Sequence, residues 1–90
     1  MFSQVLAFTS DDCHACKVSK PIVEKVARAS GIIVKEHDPM SEPALAQRFN
    51  VNVLPTFVLV DDRGEFCGEV HGLVDERTVR QLFACACSSY

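Results

Sequence analysis

Short, continuously apolar runs alternate along this chain with longer stretches of helical spacing. Val5-Leu6-Ala7-Phe8 is such a run, and residues 5–9 read as a first strand covered on both faces. Over residues 14–30 the apolar positions Val18, Ile22, Val26 and Ala29 recur at three- and four-residue steps, which predicts a helix with one buried face. Lys17, Lys20, Glu24, Lys25 and Arg28 fall mostly on its other side. Pro21 lies inside this helix, where it removes a hydrogen bond and is expected to kink the axis, and Gly31 is a natural left-handed stop. A second strand is expected over residues 32–37, so that strand, helix and strand form a unit with two parallel strands.

Asp38-Pro39 breaks the pattern. Ser41 is expected to cap a second helix, with Glu42 and Pro43 in its first turn and Leu45 and Phe49 stacked four apart. The latter half of residues 51–60 reads as a buried strand, with Pro55 at or before its first residue, where a missing N–H is tolerated. Asp61-Asp62-Arg63-Gly64 is a turn by composition. Residues 65–71 then form the hairpin partner, with Phe66 and Val70 inward, and Gly72 ends that strand. Asp75 is placed to cap a last helix whose buried face is Val79, Leu82, Phe83 and Ala86. The order is β-α-β-α-β-β-α, one α/β domain over residues 1–90 with no linker or repeat. The expected sheet is mixed and four-stranded, its first pair parallel and its last antiparallel, with helices on both faces.

Composition narrows the functional classes. A hydrophobic share of 48% and a charged share of 23% are ordinary for a soluble globular domain. Net charge is −3 with the nine basic residues scattered, which argues against nucleic-acid binding. No apolar run approaches the roughly 18 residues of a membrane span. Met1-Phe2-Ser3-Gln4 carries no basic residue, and the apolar run after it is too short for a signal peptide, so a cytoplasmic chain is expected. Five cysteines is an odd number, unsuited to a closed secreted disulfide framework. In a reducing compartment such cysteines are catalytic, metal-binding or free.

The candidate chemistry sits at Cys13-His14-Ala15-Cys16, between the first strand and the first helix. With Cys13 at the helix N-cap, its sulfur faces the unpaired N–H groups of the first turn, which favour thiolate over thiol. Cys16 lies one turn along the same face, where it can resolve a mixed disulfide formed by Cys13. His14 either points to solvent or tunes Cys13, and the carboxylates of Asp11 and Asp12 oppose the thiolate. Zinc is the rival use of the pair. It needs four ligands, and Cys67, Cys85, Cys87, His37 and His71 offer no second closely matched pair beyond Cys85-Ala86-Cys87. Cys85 and Cys87, two apart on a helix, point to different sides and do not easily bridge each other. Cys67 reads as a buried or half-buried inert thiol.

Four landmarks together resemble the thioredoxin-fold family. They are Cys13-x-x-Cys16 followed by Lys17, then Pro21 five residues on, then Leu54-Pro55-Thr56, and Gly72 before the last helix. In detail the chain is more similar to thioredoxins than to glutaredoxins, although its length is nearer the latter. The resemblance implies a minimal thioredoxin fold and a cis Leu54–Pro55 bond facing the Cys13 sulfur. It also implies that backbone beside that proline pairs with the substrate chain, and that His71-Gly72-Leu73 border the same groove. Lys17 is then an exposed lysine giving long-range help to the thiolate.

Departures from the family pattern accompany these matches. Asp-Cys-His-Ala-Cys stands in place of Trp-Cys-Gly-Pro-Cys, and the chain has no tryptophan. The family's buried acid in the first strand falls on Ala7, so a proton acceptor for Cys16 is missing or comes from another group. Ala15 replaces a proline whose loss tends to make the disulfide more oxidising. The glutathione-site segments of glutaredoxins are not matched.

The expected activity is thiol–disulfide exchange with protein disulfides, Cys13 as nucleophile and Cys16 as resolving thiol. No metal or organic cofactor is needed, the protein is expected to be monomeric, and an upstream reductase or glutathione reopens the disulfide. Three rivals remain: a glutaredoxin-like enzyme recycled by glutathione, a module holding metal through Cys13 and Cys16, and an adaptor that uses the groove only to hold peptide.

Overall fold

The four strands of the sheet divide its apolar residues between two faces. The computed structural model describes residues 4–87, with side chains through residue 84. Strand β1 (Gln4–Phe8) is followed by α1 (His14–Ala29), β2 (Ile33–His37), α2 (Pro43–Arg48), β3 (Thr56–Val60), β4 (Phe66–His71) and α3 (Glu76–Cys87). The sheet order is β2-β1-β3-β4; β1 and β2 are parallel, and the other neighbours are antiparallel. The expected order and mixed sheet are present.

Because strand side chains alternate between faces, Val5, Ala7, Phe57 and Leu59 point one way and Leu6, Phe8, Val58 and Val60 the other. The first set packs with Val23, Val26 and Ala27 of α1 and Val79 and Phe83 of α3. The second packs with Ala46, Leu45 and Phe49 around α2. Helices therefore cover both faces, and the central strands β1 and β3 are buried along almost their whole length. Each fully buried Val, Leu or Phe contributes about 1.5–3 kcal/mol relative to exposure.

Helix α1 is rotated from the expected face. Val26 is buried and Ile22 half-buried, but Val18 and Ala29 are exposed; the inward row is Cys16, Ser19, Val23, Val26 and Ala27. A serine can occupy this row because its hydroxyl finds partners in the loop after β4. The helix runs through Pro21 and ends as expected. Gly31, at φ 72°, lets Ile32 N–H reach Ala27 C=O (2.8 Å) and Gly31 N–H reach Arg28 C=O (3.2 Å), a Schellman closure.

Two further expectations are corrected. The residue capping α2 is Glu42, not Ser41, and its side chain makes no capping bond, with Pro43 in the first turn. Asp38 organises the approach instead, its carboxylate accepting from Met40 N–H and its carbonyl from the N–H groups of Ser41 and Glu42. The Glu42 carboxylate accepts from His37 Nδ1–H at 2.7 Å.

On β4, Phe66 faces outward and is 54% exposed, whereas Val70 packs on the core as expected. The cause is a bulge. Leu59 pairs with Gly68 but Val60 with Phe66, so half-buried Cys67 takes the place on the core that regular alternation assigns to Phe66. Asp75 caps α3 by accepting from Thr78 N–H at 2.8 Å, and Val79, Leu82 and Phe83 face the core. The side chains of Cys85, Ala86 and Cys87 lie outside the described residues.

Candidate redox site

The strand register brings the sequence landmarks to one end of the sheet. Phe8, the last residue of β1, pairs with Thr56, the first of β3; Thr56 pairs with His71, the last of β4, and Phe8 also pairs with His37. The turn carrying Cys13, the Leu54-Pro55-Thr56 segment and His71-Gly72 therefore meet at the same end of the sheet.

Cys13 is the N-cap of α1, with extended backbone (φ −96°, ψ 107°) and its Sγ accepting from Cys16 N–H at 3.1 Å. This is the interaction a sulfur at an N-cap is expected to make with the orphan donors of the first turn. Lys17 N–H donates to the Cys13 carbonyl at 3.3 Å and begins the helix ladder. Cys13 and Cys16 form a disulfide, with Cα atoms 5.2 Å apart. Their exposures differ: Cys13 is half-buried, Cys16 only 2% exposed. His14 and Lys17 are exposed and Ala15 is half-buried.

The second wall is built from the other landmarks. The Leu54–Pro55 peptide is cis, and Pro55 C=O accepts from Gly72 N–H at 2.9 Å. Thr56 is 2% exposed and its hydroxyl donates to Val53 C=O at 2.7 Å, which folds residues 53–56 on themselves. Gly72, at φ 80°, turns the chain where a Cβ would be strained. Leu54 packs into the α2-side core. His71 is exposed beside Thr56, and Leu73 and Val53 present apolar surface, 68% and 49% exposed.

Ser19 joins the two walls. Its hydroxyl, fully buried, donates to Gly72 C=O (3.4 Å) and accepts from Val74 N–H (3.3 Å). It sits three residues after Cys16, on the same inward row. Sequence reasoning passes it over because a serine inside a helix carries no apolar signal; its spacing from Cys16 is the available clue.

Behind Cys16 opens a cleft of about 470 Å³ whose walls include Ser10, Cys16, Lys17, Lys20, Glu24 and Glu36. Lys20 pairs with Glu36 at 2.5 Å and with Glu24 at 3.9 Å. The hydrogen bond that Lys20 donates to the Glu36 carboxylate raises the lysine above its ordinary pKa, against a smaller opposing effect of burial. Glu36 stands opposite Ala7 in the β1–β2 ladder, and Ala7 is completely buried. Charged groups are thus supplied at this place by β2 and α1, not by β1. Among the described residues, no three His, Cys, Asp or Glu side chains come together to hold a metal. No helix among them is long and apolar enough to cross a membrane.

Comparison with known proteins agrees with this geometry. The thioredoxin family model matches residues 3–85. A thioredoxin of Chlamydia caviae is 28% identical over 79 residues, covering 87% of this chain and 76% of the relative. A mutant thioredoxin from Halobacterium salinarum superposes with a TM-score of 0.78 at 35% identity, over 88% of this chain and 69% of its own. Thioredoxin 1 of Thermosipho africanus shares the fold at a TM-score of 0.77, with 18% identity and 90% of each chain covered. A Cys-x-x-Cys disulfide on a helix N-cap, in a chain matched by this family over nearly its full length, makes the protein a member of the thioredoxin family and a thiol–disulfide oxidoreductase.

Proposed function

We propose that this protein reduces disulfides of protein substrates, with Cys13 as nucleophile and Cys16 as resolving thiol. The observation that carries the assignment is the unequal exposure of the two sulfurs' residues across one helix turn. In the reduced protein, the Cys13 thiolate attacks a substrate disulfide. One substrate sulfur leaves as thiolate and a Cys13–substrate mixed disulfide forms. Cys16, deprotonated, attacks the Cys13 sulfur; the second substrate sulfur leaves and the Cys13–Cys16 bond closes. Two electrons pass from the dithiol to the substrate, and the two thiol protons end on the substrate thiols. The cleft behind Cys16 gives its proton a path to solvent.

The helix N-terminus stabilises negative charge on Cys13 through the Cys16 N–H. Backbone of Pro55 and Gly72, with apolar Val53 and Leu73, forms the surface against which an extended substrate lies. Neither metal nor organic cofactor takes part. An upstream dithiol reductase or glutathione reopens the disulfide, and a reducing cytoplasm is where that cycle would run.

Equilibrating the protein in glutathione buffers and counting alkylated thiols by mass tests the assignment. A reversible two-electron step confined to Cys13 and Cys16 is expected. A potential near about −270 mV fits a thioredoxin-like reductant, and one above roughly −200 mV fits a glutaredoxin-like or oxidising member. A Cys16→Ser protein should trap substrate on Cys13, while Cys13→Ser should trap none. Absence of the two-electron step refutes the redox assignment.

A further inference from the structure

We infer that the pocket beside Thr56 and His71 is a subsite for a basic side chain of the substrate, read by Glu69. This deepens the proposed function and rests on it.

The pocket has a volume of about 330 Å³ and is walled by Asn50, Asn52, Val53, Thr56, Glu69 and His71. That is the low end of the range of about 300–1,000 Å³ common for ligand pockets, and enough for one long side chain. It adjoins the redox groove along the chain, since Thr56 follows Pro55 directly and His71 precedes Gly72, whose N–H is bonded to Pro55 C=O; it opens on the α2 side of the sheet, because Thr56, Glu69 and His71 share the face of Val58. Glu69 and His71 are two apart on β4 and so share a face, separated by about 7 Å along the strand. A substrate strand laid along the end of β4 would advance by the same step, which would bring a side chain a few residues from the reacting cysteine within reach of Glu69.

The charge in this pocket is uncommitted. Glu24, Glu36, Glu76 and Asp61 take part in ion pairs and Glu42 is hydrogen-bonded to His37, whereas the Glu69 carboxylate, like those of Asp11, Asp12, Asp62 and Glu65 elsewhere on the surface, has neither an ion pair nor a side-chain hydrogen bond among the described residues. Arg48 lines the adjoining surface with Glu69 but is engaged elsewhere: it donates to Gly64 C=O at 3.3 Å and lies over the Phe49 ring. Asn50, held at φ 55°, and Asn52 add amide groups to the rim. A guanidinium or ammonium group entering here meets a carboxylate and amide oxygens, with the wall of Val53 for its aliphatic stem. An acidic side chain meets like charge and is disfavoured.

The test uses a series of symmetrical peptide disulfides, each a short Ala/Ser host around one cysteine. Arginine, alanine or glutamate is placed singly at each flanking position. The second-order rate of reduction by the fully reduced protein is followed by chromatographic release of the peptide thiol. At one or two positions arginine should exceed alanine by about three- to tenfold and glutamate should fall below it. The arginine-to-alanine ratio should fall to near one in Glu69→Gln, invert in Glu69→Lys, and shrink when salt is raised from about 0.05 to about 0.5 M. A flat ratio at every position in the wild-type protein overturns the subsite, as does a preference surviving intact in Glu69→Gln. If the wild-type protein reduces none of the peptides, the alanine parent included, the proposed function itself has failed and the subsite falls with it.

Discussion

Replacing Ser19 by alanine removes one hydroxyl from the interface between α1 and the loop after β4, and little else. The hydroxyl is completely buried, and both its partners are backbone groups of that loop, Gly72 C=O and Val74 N–H. In the variant, Val74 N–H, on a residue only 9% exposed, loses its acceptor. Leaving a buried donor unsatisfied costs about 1–3 kcal/mol. The bond lengths of 3.3 and 3.4 Å lie beyond the usual ranges, which places the cost in the lower part of that interval, about 1–2 kcal/mol. Alanine is the better helix former by about 0.5 kcal/mol, so the net loss is about 1 kcal/mol.

The oxidised protein is the state to measure, because it is the one with the Cys13–Cys16 bond. The chain has no tryptophan, so urea unfolding is best followed by far-ultraviolet circular dichroism. With a slope of about 1–2 kcal/mol/M, the midpoint should fall by about 0.5–1 M. The Val74 amide should also exchange with solvent faster than in the parent, a readout that a general loss of packing would spread over the whole sheet. Ser30→Ala serves as the control, since Ser30 is exposed at the helix C-cap, and its effect should stay within about 0.5 kcal/mol. An unchanged midpoint for Ser19→Ala, or an equally protected Val74 amide, would refute the idea that this serine holds the groove loop in place.

Two other perturbations have definite signs. Gly72→Ala places a Cβ at φ 80° with no atom within 4 Å of it, so the cost is backbone strain alone, about 1–2 kcal/mol, and Gly72→Asn should recover part of it in a thermal melt. Asp61 and Asp75 accept backbone N–H bonds, from Glu65 and Arg63 and from Thr78, which hold both carboxyls below their ordinary pKa. The unfolded chain therefore binds protons first as pH falls. Their stabilisation is complete above the ordinary value of about 3.9 and is lost as pH drops through the lower folded values. Urea midpoints measured between about pH 5.5 and pH 2.5 should decline less steeply in Asp61→Asn and Asp75→Asn than in the parent; parallel curves would contradict the assignment.

What is legible in the sequence is what neighbours along the chain determine. The apolar runs locate all four strands to within a residue or so. Cys13 announces its N-cap by position, Gly31 its left-handed stop, and Asp61 and Asp75 their local bonds, all within a few residues of their partners. The misreadings are of two kinds. Phe66 and Ser41 turn on local detail that composition does not specify, a bulge inside the β3–β4 hairpin and the turn that Asp38 closes before Glu42, whereas the face of α1 is chosen partly by a serine whose partners lie 53 and 55 residues away. The redox site is divided in the same way. Its reactive half, Cys13 to Lys17, is one helix turn and can be read as a string. In the half proposed to bind substrate, Pro55 and Gly72 are legible through the family resemblance, but Ser19, which bonds the loop after Gly72, and Glu69, placed by the pairing that sets His71 beside Thr56, are not. A thiol pair is conferred by local sequence, whereas the choice of which disulfide it meets belongs to contacts that only the folded sheet creates.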